Sequence, residues 1–168
     1  MILEDIVKLN DIQDFIMKKV NDPWINTPFK GIVDMDNISK GILGEKIFKL
    51  LMEKYGWTVT NRTYSGNDCV VGDYLVEVKT SIPRKSTLTI NHIAEHKKWD
   101  RLVVIALDPI TKNQHVFWFT KDDFINEIRN DTRVFTRQQG GKQGNNDDWM
   151  TNVTKLNNTT FIKDICEW

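Results

Sequence analysis

Between Leu3 and Val20 apolar residues recur at Ile6, Val7, Leu9, Ile12, Phe15, Ile16 and Val20. This is close to the 3.6-residue repeat of a helix that buries one side, and Asn21-Asp22-Pro23 ends it. After a short stretch with Pro23 and Pro28, a second helical pattern runs from Asn37 to Tyr55 and stops at Gly56. It is apolar on two sides. Leu43, Ile47, Leu50 and Leu51 share one face, and Ile38, Gly41, Phe48 and Met52 form a stripe about 150° away at about 100° per residue. One carboxylate, Glu45, falls inside that second stripe.

The period then shortens to two. Residues 57–64 read as a strand with Trp57 as a core residue, and Ser65-Gly66-Asn67 as a loop. Residues 69–71 and 74–80 read as two strands joined by Gly72-Asp73, a Gly-x pair suited to a type II′ turn. Residues 89–98 read as a helix. Leu102 to Leu107 is a continuous apolar run of the kind buried on both faces of a sheet. Residues 109–113 read as a turn and Val116 to Phe119 as a strand containing the core residue Trp118. Thr120 with Asp123 three residues on marks the start of a helix to about Arg129. Residues 138–148 are polar and glycine-rich, and Trp149 beside them reads as core in preference to a surface stacking residue. The sum is an α/β fold, a mixed central sheet flanked by helices, in a single domain of 168 residues.

Composition narrows the function classes. No apolar run is long enough for a transmembrane helix. The N-terminus lacks a basic segment followed by a long apolar stretch, so a cytoplasmic location is expected. Cys69 and Cys166 have no metal-ligand spacing, which leaves no cysteine-based zinc site. Lys plus Arg equals Asp plus Glu at 23 each, so any nucleic-acid contact must come from local charge. Two segments supply it. Lys79 to Arg101 holds six basic residues against two acids, and Arg133 to Lys142 holds three basic residues and no acid.

The chemistry-bearing segment is Ser65 to Ser81. With Gly72-Asp73 as a two-residue turn, Val71 faces Tyr74, Val70 faces Leu75, Cys69 faces Val76 and Asp68 faces Glu77. Opposed Cβ atoms lie about 4.5–5.5 Å apart, where like charges repel. A cation between them would remove that cost. The strand period puts Glu77 and Lys79 on one face. Two carboxylates, waters and a substrate phosphate suit Mg2+, for which Mn2+ can substitute. A neighbouring ammonium can orient a water and stabilise charge developing on phosphorus. Glu45, from the preceding helix, could add a further ligand. The competing reading is a salt-bridged hairpin with a charged solvent face.

A helix with a lone carboxylate, a strand, Asp68, a hairpin ending in Glu77-Val78-Lys79, a helix and an apolar strand together resemble the core of the PD-(D/E)XK nuclease superfamily. The resemblance covers about residues 38–119. It implies that Asp68 and Glu77 are metal ligands, that Lys79 is the catalytic lysine and that Glu45 is the helix-borne acid. Asn67 stands where the family pattern carries a proline. The small size and the Glu-Val-Lys-Thr-Ser segment are similar to type II restriction endonucleases, which implies sequence-specific cutting of double-stranded DNA by a homodimer. Junction resolvases and repair nucleases share the core and stay open as alternatives. The flanking N- and C-terminal regions would then serve dimerisation or DNA contacts, and Arg84, Lys85, His92, Lys97, Lys98, Arg137 and Lys142 are the candidate DNA-binding residues.

Two readings from other classes compete. His92-Ile-Ala-Glu95-His96 matches H-x-x-E-H, which on a helix would place both histidines on one face as in a zinc metalloprotease. A non-catalytic DNA-binding module is the other, and the intact set of two acids and a lysine argues against it. His115, beside an aromatic strand, reads as a sheet residue.

Overall fold

The computed structural model describes Leu3 and residues 22–61, 66–83, 87–138 and 148–168. The expected first helix lies outside the described residues apart from Leu3, which is buried in the core. Arg84, Lys85 and Lys142 also lie outside them.

Helix α1 (Asn37–Lys54) opens where Asp36 accepts the Ser39 backbone N–H at 2.9 Å and the Ser39 hydroxyl at 2.6 Å, a side-chain cap for groups the first turn leaves without partners. Strands β1 (Val59–Asn61), β2 (Cys69–Val71) and β3 (Tyr74–Ser81) follow, then β4 (Thr89–Ala94), β5 (Arg101–Leu107) and β6 (Gln114–Thr120). Helix α2 (Lys121–Arg129) starts at the expected capping box of Thr120 and Asp123. Strands β7 (Thr136–Arg137) and β8 (Asp148–Asn152), helix α3 (Val153–Asn157) and strand β9 (Lys163–Asp164) complete the order.

Six strands form the central sheet in the order β1-β2-β3-β5-β6-β9. It is mixed: β3 and β5 run parallel, and the other neighbours are antiparallel. Strand β5 is apolar from Leu102 to Leu107 because alternate residues enter two separate cores. Val103, Ile105 and Leu107 join Ile47, Phe48, Leu51 and Met52 of α1. Leu102, Val104 and Ala106 join Phe124 of α2 and Ile90 and Ile93 of β4.

Residues 89–98, expected as a helix, form β4 and the turn after it. Strand β4 pairs with β8, which pairs with β7, in a second, three-stranded sheet. The register slips between Ile90 and Ile93, and His92 takes φ 56°. A bulge adds one residue and breaks the two-residue alternation. The two inward isoleucines therefore fall three apart and imitate a helix. Parallel neighbours such as β3 and β5 need a crossover, most often a helix. Here a strand of the second sheet makes it.

Two further expectations change. Trp57, expected in the core, is 38% exposed, lying against the hairpin at Gly72. In the second stripe of α1, Phe48 and Met52 are buried but Ile38 is 77% exposed. Trp118 and Trp149 are buried as expected. No helix among the described residues is long and apolar enough to cross a membrane.

Candidate active site

The hairpin of β2 and β3 has the register expected from its turn: Val71 pairs with Tyr74, Val70 with Leu75 and Cys69 with Val76. Gly72 takes φ 58°, a left-handed value that glycine adopts without steric cost. Asp68 lies one residue beyond the last pair. Its backbone N–H donates to the Val76 carbonyl at 2.8 Å, and its Oδ2 accepts the Val78 N–H at 2.7 Å. Asp68 is thus tied to β3 on both sides of its expected partner, Glu77, by its N–H at Val76 and by its carboxylate at Val78.

Glu77 is 4% exposed. Its Oε1 receives Lys79 Nζ at 2.7 Å and Lys97 Nζ at 3.5 Å. A buried carboxylate needs such partners, because removal from water disfavours its charge. Asp68 is held less favourably: burial first, and the Glu77 charge next, push its carboxyl above the ordinary range, against the Val78 N–H and the two lysines. Cys69 beside it is fully buried and its thiol is pushed up to about 12 by burial. Its side chain belongs to the apolar core with Val71 and Val76.

Helix α1 brings the third acid. The ideal Cβ position at Gly44 falls 1.8 Å from Thr80 Oγ1 and 3.0 Å from Thr80 Cβ, so only glycine lets α1 lie this close to β3. The next residue, Glu45, then borders the same cleft as Asp68, Glu77 and Lys79. The cleft has a volume of about 640 Å³. Lys40 and Asn37 of α1 border it on one side, and Asn91 and His92 of β4 on the other.

The donor set fits a hard divalent cation. Asp68 and Glu77 repel one another, and a cation would relieve the repulsion. Among the described residues no group of three or more His, Cys, Asp or Glu side chains is placed to hold a metal ion, so a bound cation would rest on the Asp68 and Glu77 pair with other oxygens. A site completed by water and phosphate oxygens suits Mg2+, which keeps much of its hydration shell.

The structure thus gathers Glu45, Asp68, Glu77 and Lys79, and adds Lys97 to them. Sequence spacing did not place Lys97 there, since the helix expected over 89–98 would have carried it elsewhere. His92 reaches the cleft wall with its ring already engaged. Gln138 Oε1 accepts the His92 backbone N–H at 2.9 Å, which sets the Gln138 amide nitrogen 3.3 Å from His92 Nε2. Nε2 is then an acceptor, and Nδ1 carries the proton donated to Asp148 Oδ2 at 3.1 Å. Lys98 and Arg137 are exposed and outside the cleft lining. The Arg137 guanidinium stacks 4.2 Å from the Trp149 ring.

The zinc-protease reading required a helix over His92 to His96. That segment is a bulged strand and turn, and Glu95 Oε2 accepts the Trp149 indole N–H at 3.3 Å. The two histidines therefore do not share a helix face. His115 sits in β6 as expected, half-buried, and burial lowers its affinity for a proton. No protein-family model and no curated protein matches the chain.

Proposed function

We propose that the chain is a magnesium-dependent DNA endonuclease with a restriction-endonuclease-like core. The observation that carries this reading is the pairing of Asp68, whose charge the fold disfavours, with the buried Glu77, whose Oε1 two lysines share, in an open polar cleft. A salt-bridged surface hairpin has no use for a buried carboxylate or for a second, repelling one beside it.

When bound between these acids, Mg2+ would polarise the scissile phosphate and offset the negative charge gained on attack. Asp68 is oriented for that role by the Val78 N–H, and Glu77 by its two ammonium partners. Glu45 borders the cleft from α1, where it would hold a water of the cation's hydration shell in preference to the cation itself. Lys79 Nζ carries protons at the Glu77 edge, where it can orient an attacking water and donate to a phosphoryl oxygen. Lys97 holds a second positive charge against the same carboxylate. In the overall reaction water adds to phosphorus, one P–O ester bond breaks, and the departing alkoxide takes up a proton.

Among enzymes of this class, site-specific cutting of double-stranded DNA in the manner of type II restriction endonucleases is the proposed role. Incubation with supercoiled plasmid and Mg2+ tests it. Discrete fragments, lost in EDTA, are expected. Selective cutting of branched DNA or a smear would move the assignment to a resolvase or repair nuclease. Intact plasmid and intact branched DNA in Mg2+ and Mn2+ would overturn it.

A further inference from the structure

We infer that Lys49 and Asn61 form a subsite for the backbone phosphate adjacent to the one that is cut. This rests on the nuclease reading and adds to it the path of the substrate strand.

A second cavity of about 380 Å³ is bordered by Glu45, Lys49, Asn61 and Asp68. Glu45 and Asp68 also border the main cleft, so the two cavities meet at the carboxylates. A polymeric substrate with its reacting phosphate at Asp68 and Glu77 must leave the site on both sides. On this side it would be repelled by the acids unless a cation followed at once, and Lys49 is that cation. Its position is set by α1, on which Ile47, Phe48 and Leu51 are buried. Asn61 ends β1, paired with Cys69 next to Asp68.

The two side chains present donors. Lys49 Nζ donates to Asn61 Oδ1 at 3.3 Å, a long and easily replaced hydrogen bond. An ammonium has three donors, and the Asn61 amide nitrogen has two more. Among the described residues no carboxylate is within ion-pair distance of Lys49. A phosphodiester has two non-bridging oxygens and one negative charge, which match this set. Lys49 also lies one helical turn beyond Glu45 on α1, so the same rigid element places an acid at the reaction centre and a base one step away.

The test is substrate interference. The cut position on a short duplex is mapped first, and an uncharged methylphosphonate is then placed at each of the two phosphates flanking it. For wild type, one of the two replacements is expected to slow single-turnover cleavage about tenfold, the size of one phosphate contact at roughly 1.4 kcal/mol per tenfold. Lys49→Gln should be slowed similarly on the natural duplex and no further on that modified one. In Ca2+, its binding should lose roughly one unit of salt slope. Asn61→Ala, a change at an exposed strand end, should show the same lack of additivity to a smaller degree. Fully additive effects at both flanking phosphates, or a Lys49→Gln variant that binds and cuts like wild type, would overturn the inference while leaving the nuclease reading intact. A wild type that neither binds nor cuts DNA would overturn both.

Discussion

Asp68 carries a charge that the folded chain alone disfavours. Its carboxyl is raised above the ordinary 3.8, so the folded state binds more protons than the unfolded state between 3.8 and the folded value. Stability then falls as pH rises through that window and stays lower above it. Asp68→Asn keeps an oxygen for the Val78 N–H and removes the repulsion from Glu77. It should raise the melting temperature of the metal-free protein at pH 7 while abolishing cleavage. Millimolar Mg2+ should raise the wild-type melting temperature and leave that of the variant unchanged. Thermal unfolding in EDTA and in Mg2+ reads both effects. A less stable variant together with an indifferent wild type would remove the case for a cation at this carboxylate.

At the scale of elements, the close packing of α1 on β3 depends on Gly44. Alanine there would set a methyl 1.8 Å from Thr80 Oγ1, which forces α1 outward and Glu45 with it. Overpacking of this kind costs about 1–3 kcal/mol, and denaturant unfolding of Gly44→Ala should show it along with slower cleavage. Thr80→Ala in the same chain removes the closest contact but leaves the Cβ at 3.0 Å, so partial recovery is expected. Complete recovery, or no initial loss, would mean that the helix position is not set there. The elements legible in the sequence were those whose pattern is local. The hairpin register followed from the two turn residues Gly72-Asp73, and β5 from an apolar run that feeds both cores. Strand β4 was not legible, because its bulge at Asn91 and His92 erased the alternation. Its β-branched Thr89, Ile90 and Ile93 were the contrary signal. The second sheet was hidden with it, since among the described residues β7 and β8 pair only with each other and with β4. The acids and Lys79 could be found by register arithmetic. Lys97 could not, because only the crossover from β4 to β5 carries it to Glu77.

For the whole molecule, the proposed role asks a neutral chain with equal numbers of acids and bases to bind DNA through one local face. The cleft sets Lys40, Lys79 and Lys97 beside Glu45, Asp68 and Glu77, so a cation held by the acids would leave this face positive. On the proposed role, one active site per chain that cuts both strands would require a two-fold dimer on DNA, and sedimentation of the Ca2+ complex should give two chains per duplex. A monomer that still cuts both strands in one binding event would contradict this. If Asp68, Glu77 and Lys79 make one phosphodiester-cleaving site, as proposed, the single-turnover cleavage rate of Lys79→Ala in Mg2+ reads it most directly. Folding is checked by the melting temperature, and wild type and Asp68→Ala are run beside it. A folded Lys79→Ala protein slowed by about 10²–10³ or more is expected, with Asp68→Ala inactive. A Lys79→Ala protein that cuts at the wild-type rate would contradict that assignment of the site.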